Sequence, residues 1–376
     1  MNFAFSEEQD QLRDAVRKFL EAKSPESEVR RLMETTEGYD TAVWSQMANE
    51  LGLQSLHIPE AYGGQGFSWV ELGIVLEEQG RALLCAPYFS TVVLGANAIL
   101  NAGTEEQKAA LLPGIASGET IATLAFTEPS GKWDASGITL EATPDGDGAK
   151  LTGTKMFVLD GHIANLIVVV ARAAASTGED GISFYTVDGD AAGLTRTALA
   201  TMDQTRKQAK LEFDGVQATL LGTAGAGWAA LSKTLDQASV GLCNEMVGGA
   251  QYVLDESVQY AKDRVQFGRP IGSFQAIKHK CADMLLETES AKSAAYYAAW
   301  AAAEDNDELP VVASLAKAYC SDAYFHSAAE NIQIHGGIGF TWEHDAHLYF
   351  KRAKSSEILF GDATYHRELL AQRIGI

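Results

Sequence analysis

Cysteine is scarce in this chain. Cys85, Cys243, Cys281 and Cys320 are spread over 376 residues with no C-x-x-C pair. Such spacing argues against a disulfide framework or a zinc site, and it suits reduced thiols in a cytoplasmic setting. Long apolar runs are missing too, and none approaches the length of a membrane span. Met1 to Glu8 lack the basic and apolar regions of a secretory leader. Positive charge is in short supply, with 29 Lys plus Arg against 50 Asp plus Glu and a formal net charge of −21. That balance opposes non-specific binding to nucleic acid or to an anionic membrane. An anionic ligand therefore needs a locally basic pocket. The apolar fraction of 46% is ordinary for a globular protein, and the length predicts two or three domains. There is no internal repeat and no low-complexity segment.

The segment that stands out is Arg264 to Gln275, R-V-Q-F-G-R-P-I-G-S-F-Q. From Arg264 onward the first carboxylate is Asp283, and Arg264, Arg269, Lys278 and Lys280 all fall in that interval. Gly268 and Pro270 interrupt the helical pattern, because glycine frees the backbone and proline has no amide donor. A turn that places an Arg, a Phe and a Gln between two long helices suits an anionic ligand with a flat ring.

The first third reads as helical. Ser6 and Gln9 have the capping-box spacing, and Leu12, Val16, Phe19 and Leu20 follow on one face. Val43 to Leu51 and Trp69 to Leu84 read as further helices. Thr104 caps another that runs through Leu112, with Pro113-Gly114 ending it. The glycine-rich stretch Ile58 to Gly66 is either a ligand loop or an ordinary tight turn. Near Thr120 the pattern changes to short β-type runs: Ile121 to Phe126, Lys150 to Leu159, Leu166 to Ala171, Ile182 to Val187 and Ala209 to Phe213. Pro144 to Gly148 and Thr177 to Gly181 are turns between them. From Trp228 helices resume, to about Asp263, from Phe274 to Glu304, from Pro310 to Gly336-Gly337, and from Thr364 to Ile374. The expected architecture is α+β and multidomain. It comprises an N-terminal helical domain (1–118), a middle β-barrel-like domain (119–225) and a C-terminal four-helix bundle (226–376).

Several strings in this order resemble the acyl-CoA dehydrogenase family over essentially the whole chain. They are Pro59-Glu60 with Gly63-Gly64-x-Gly66, Thr127-Glu128-Pro129, Leu151-Thr-Gly-Thr-Lys155, Arg264-x-x-Phe267-Gly268-x-Pro270-Ile271 with Gln275, and Gln333-x-x-Gly336-Gly337-x-Gly339. The resemblance implies FAD at a subunit boundary and dehydrogenation of an acyl-CoA to the trans-2-enoyl-CoA. It also implies a homo- or heterotetramer and an electron-transfer flavoprotein as electron acceptor. By the same resemblance Thr127 and Phe157 meet the flavin, and Arg264, Phe267 and Gln275 reach the FAD of a neighbour. Gln333, Gly336 and Gly337 approach that same cofactor. Without the resemblance, Arg264 reads as a cation at a helix C-terminus and Phe267 as a core staple.

Some positions depart from the family pattern. The base is expected as a Glu at position 360, or at 238 on the helix entering the first motif; this chain has Phe360 and Ala238 there. Asp362 replaces a Thr. Lys132-Trp133 stands for a Gly-Ser pair, Phe157 for a Trp and Leu159 for a Thr. Glu245, Asp236 and Asp362 are the remaining carboxylate candidates. Each also has a plain reading: Glu245 in a buried ion pair, Asp236 at a helix N-terminus, Asp362 as a helix cap. His335 and His366 read as helix-end residues, and His344 with His347 as too few ligands for a metal. Two functions stay open, an acyl-CoA dehydrogenase with an unusual base, or a partner subunit that completes another chain's site. A related flavin oxidase is a third.

Overall fold

The structure is a computed structural model that describes residues 5–376. Met1 to Ala4, the start of the segment read as lacking a leader, lie outside the described residues.

Helix α1 (Glu7–Lys23) starts on the expected capping box, with the Gln9 amide donating to Ser6 Oγ at 3.2 Å and the Ser6 amide to Gln9 Oε1 at 2.9 Å. Helices α2 (Glu26–Met33), α3 (Thr41–Asn49) and α4 (Trp69–Arg81) follow. Helix α4 stops short of the expected Leu84, since Leu83 takes a left-handed backbone with φ 46°. A wide π-type helical segment, Phe89–Ala96, runs into α5 (Asn97–Ala102). Its residues are all buried, so no amphipathic period marks it in the sequence. Helix α6 (Glu105–Ala116) is capped by Thr104 as expected but continues through Pro113. In the last turn a proline forfeits a single bond, here to the carbonyl of Ala109, and the helix tolerates it.

The strands are β1 (Ala122–Ala125), β2 (Glu141–Asp145), β3 (Gly148–Leu159), β4 (Leu166–Ala173), β5 (Ile182–Asp188), β6 (Leu194–Ala198) and β7 (Gln208–Leu221). They form one sheet in the order β1-β4-β2-β3-β7-β5, with β6 on β7. Strand β5 also pairs back onto β4, which closes β4, β2, β3, β7 and β5 into a barrel-like ring. Strands β2 and β6 were not expected. The expected turn at Pro144 to Gly148 shrinks accordingly, because Pro144 and Asp145 pair with Ala149 and Gly148.

The long helix α7 (Gly227–Asp263) leads to a minimal hairpin, β8 (Val265–Gln266) with β9 (Arg269–Pro270). Then come α8 (Gln275–Ala303), α9 (Leu309–His335), α10 (Ala346–Ile358) and α11 (Ala363–Arg373). Pro310 sits in the first turn of α9 as expected. Helix α10 is an addition to the four expected helices. Helices α8 and α9 pack on each other, and each buries small residues, Ala291, Ala295 and Ala298 on one and Ala313, Ala316 and Ala323 on the other. Alanines at these spacings share one face and let two helix axes approach closely.

The chain forms two compact units. One gathers the residues up to Arg30 with Trp69–Leu84 and Ser239–Ile376; the other comprises Arg31–Ser68 and Cys85–Ala238. The first is helical, and the second holds the sheet with α3, α5 and α6. The four cysteines are free thiols. Among the described residues no helix is long and apolar enough to cross a membrane.

Candidate functional site

In the helical unit, the basic segment caps α7 and turns sharply. The Arg264 amide donates to the Tyr260 carbonyl at 2.9 Å, and the Ile271 amide donates to the Arg264 carbonyl at 2.8 Å. Phe267 (φ 54°) and Gly268 (φ 74°) are both left-handed. Two consecutive residues with positive φ make the tight turn that a two-residue hairpin needs. Glycine takes that conformation freely; a phenylalanine is strained in it. Phe267 is also 92% exposed, so it is not the core staple of the alternative reading. A strained, solvent-facing aromatic marks a place where the chain is shaped for contact. Phe274 meets Phe267 edge-on at 6.1 Å, and the Arg269 guanidinium lies 4.1 Å above the Phe274 ring.

The Arg264 side chain is exposed and has no hydrogen-bond or ion-pair partner among the described residues. Gln275, the first residue of α8, is exposed. Gln333 lies in the last turn of α9 and is exposed as well. Gly336 and Gly337 follow, and a methyl group added to either would meet nothing within 4 Å. The ends of α7 and α9 are side by side, since the Tyr260 ring lies 4.2 Å from that of His335, tilted by 33°. Phe340 and Trp342, shortly after the two glycines in the chain, are 82% and 64% exposed. They carried no weight in the sequence, where the only hint was two aromatics just after a glycine cluster. His335, the last residue of α9, is buried and bonded through Nδ1 to the Asn331 carbonyl. The His344 ring lies 4.4 Å from it, tilted by 51°. No group of three or more metal-binding side chains occurs among the described residues.

The sheet unit holds Thr127 and Phe157. Thr127 is buried, and its carbonyl accepts the Met156 amide at 2.9 Å. Strand β3 pairs with β7 at Lys155 opposite Leu211 and again at Val158 opposite Ala209. Met156 and Phe157 thus face the single residue Lys210, which is a β-bulge. Phe157 sits in it with φ 58° and 45% exposure, while Leu159 beyond it is buried. The Trp133 ring leans on Phe126, 5.7 Å away.

The carboxylate candidates are all engaged. Glu245 is buried against Arg352, with Nη1 donating to Oε1 at 2.8 Å. Asp362 caps α11, accepting from the Tyr365 amide at 2.8 Å. Asp236 is not at a helix N-terminus as expected. Helix α7 begins at Gly227, nine residues earlier, and Asp236 is buried in its body. Ala238 is fully buried, and Phe360 is buried with φ 64°. The segment around Phe360 is held by its carbonyls. Lys317 donates to those of Glu357 and Gly361 at 2.9 and 3.0 Å, and His366 Nε2 to that of Phe360 at 3.1 Å. Burial pushes Lys317 down to about 8 and His366 down to about 3. Lys317 escaped notice in the sequence, although a lone lysine inside the apolar run of α9 was its signal.

In the remaining glycine-rich stretch, a methyl on Gly64 would fall 1.8 Å from the Ile58 carbonyl oxygen. The Gly66 amide donates to that same carbonyl at 2.9 Å. This is a tight turn.

Three family models match along the chain, described as the N-terminal, middle and C-terminal domains of acyl-CoA dehydrogenase, over residues 6–119, 123–216 and 225–375. A probable acyl-CoA dehydrogenase of Bacillus subtilis, YngJ, is 33% identical over 100% of both chains. Among solved structures, butyryl-CoA dehydrogenase from Megasphaera elsdenii superposes with a TM-score of 0.93 at 28% identity over 100% of both chains. The ChsE4-ChsE5 complex from Mycobacterium tuberculosis gives 0.89 at 27% identity, over 100% of this chain and 99% of that one.

Proposed function

The chain belongs to the acyl-CoA dehydrogenase family, and from that premise we propose that it takes part in the FAD-dependent α,β-dehydrogenation of an acyl-CoA thioester to the trans-2-enoyl-CoA. The observation that carries the reading is the surface at the ends of α7 and α9. It offers an Arg without an internal partner, two exposed glutamines, an exposed strained Phe and open space over two glycines. That donor set fits FAD. The planar fork of Arg264 matches pyrophosphate oxygens. Phe267 packs against the cofactor, Gln275 bonds its adenosine side, and Gln333 with the backbone at Gly336-Gly337 approaches it closely. The cofactor so gripped belongs to a neighbouring subunit of a tetramer. Thr127 and Phe157 serve the ring of the chain's own cofactor.

Bound FAD would supply the acceptor for the β-hydride. The protein's task is to acidify the α-proton by hydrogen-bonding the thioester carbonyl, and to hold a base in a dry pocket that lifts its pKa toward neutrality. The second reading gains from the state of the carboxylates. Phe360 and Ala238 cannot accept a proton, Glu245 is tied to Arg352, and Asp362 is a cap. On this reading the chain lends Arg264, Phe267, Gln275 and Gln333 to a partner that carries the base. Electrons then leave to an electron-transfer flavoprotein.

Expression of the chain alone, with visible absorbance for bound flavin and bleaching by added acyl-CoA, separates the two. Flavin that bleaches without a partner sinks the partner-subunit reading. Absent flavin, restored by co-expression with an adjacently encoded homologue, sinks the self-sufficient enzyme. Full bleaching by a Glu245→Gln variant removes that residue as the base.

A further inference from the structure

We propose that the buried ion pair of Glu128 and Lys155 is a positioning device that fixes Thr127 and Phe157 relative to each other, and so shapes the flavin-contacting surface of the sheet unit; this rests on the flavin reading above. Strand β1 pairs with β4, whereas β3 pairs with β2 and β7, so no ladder joins β1 to β3. The residues around Thr127 are instead gripped from β3. Lys155 Nζ donates to the Phe126 carbonyl at 3.1 Å and to Glu128 Oε1 at 2.7 Å, on either side of Thr127. The Met156 amide takes the Thr127 carbonyl itself. Phe157 comes next in the chain.

Glu128 extends the grip. Its carboxylate accepts the amides of Thr139 and Leu140, each at 2.9 Å, and the Thr139 hydroxyl. That closes the loop carrying Trp133. In a regular strand, residues 155 and 157 would share one face. Here Lys155 is fully buried and Phe157 is 45% exposed. The bulge and the left-handed Phe157 make both possible, turning the ring outward directly beside its anchor.

A buried ion pair is weak evidence of a stability role, since apolar residues of similar volume can replace one at little cost. Burial pushes the Lys155 ammonium down to about 8. For Glu128, burial alone would raise the pKa; Lys155 and the hydrogen-bond donors outweigh it and hold the group below the usual carboxylate range. Both groups are thus charged at neutral pH. A charged pair kept at a buried junction, adjoining two ligand-facing positions, points to geometry as its use.

The test uses the full chain, with its partner if flavin loading requires one. The variants are the double change Glu128→Leu with Lys155→Met, the single change Glu128→Gln, and Lys155→Arg. FAD affinity by titration, the shape of the visible flavin band and the urea unfolding midpoint are measured together. We expect the double variant to stay folded with a lowered midpoint, since the Leu140 amide and the Phe126 carbonyl lose their partners, while FAD binding by the folded chain weakens by about tenfold or more and the band changes shape. Glu128→Gln should show the same change in smaller degree, and Lys155→Arg should retain most of the affinity. Folded variants with wild-type affinity and spectrum would overturn the proposal. So would FAD loss that only tracks unfolding, with an unchanged band at full loading. A wild-type chain that takes up no FAD in any assembly would bring down the flavin reading, and this proposal with it.

Discussion

Lys155 and Arg264 are both cations in sites read as cofactor contacts, yet their surroundings are opposite. Lys155 is fully buried, and its ammonium bonds a carboxylate and a carbonyl of the same chain. Arg264 is exposed, and its guanidinium bonds nothing among the described residues. The backbone shows the same contrast. Phe157 is strained inside a ladder that resumes on either side of it, whereas Phe267 is strained at the tip of a two-residue turn. The sheet junction is held by the chain itself. The end of α7 and α9 is finished chemically but open, as expected of a surface completed by something outside the chain.

The largest effect should come from breaking the closed side of this contrast. Lys155→Met alone leaves Glu128 as a buried charge without its cation, and urea unfolding should show a loss of about 3–5 kcal/mol. Arg264→Met, at an exposed position with no internal partner, should change stability by less than about 0.5 kcal/mol. Equal losses at the two sites would erase the distinction.

Acid should weaken both units. Burial pushes His57 in the sheet unit down to about 4 and His366 in the helical unit down to about 3. In each case the unfolded chain, with an ordinary imidazole pKa of about 6.5, takes the proton first. The stabilisation from keeping these rings neutral is complete above that value. It is lost as pH falls toward the folded-state values. Unfolding midpoints should therefore drop between pH 7 and pH 5, and the drop should shrink in His57→Gln and His366→Gln variants. A midpoint flat over that range would contradict the burial of both rings. A modest effect should come from Asp362→Ala, which removes the cap of α11 and should lower stability by about 1 kcal/mol, still more than the loss at Arg264.

What the sequence made legible follows the same line. The capping box at Ser6, the cap at Thr104 and the β-branched run Leu166 to Ala171 are local signals, and each led to the element found. Strand β2 shows one buried residue, Ala142, and contains Pro144; β6 is largely solvent-facing. Neither has an alternation to read. The stretch Phe89–Ala96 is buried on every side and so has no period. Asp236 was misplaced within its helix and not by the boundary: the sequence reads the helix from Trp228 and it begins at Gly227, so Asp236 lies more than two turns in. Among site residues, the Arg264 motif was readable because its parts are contiguous. The Glu128–Lys155 pair was not, because its members are 27 residues apart and meet only through the fold. Lys317 was hidden likewise, with acceptors 40 and 44 residues away.

The central claim, that the open end of α7 and α9 grips FAD across a subunit boundary, is tested most directly by the flavin content of the Arg264→Ala assembly. The wild-type and variant chains are purified in the same flavin-loaded assembly, and bound FAD is compared at matched oligomeric state and unfolding midpoint. We predict that the variant assembles and unfolds like the wild type but retains FAD at least about tenfold more weakly, as for loss of a charge-assisted phosphate contact. An intact assembly that keeps its full flavin with wild-type affinity would contradict the claim.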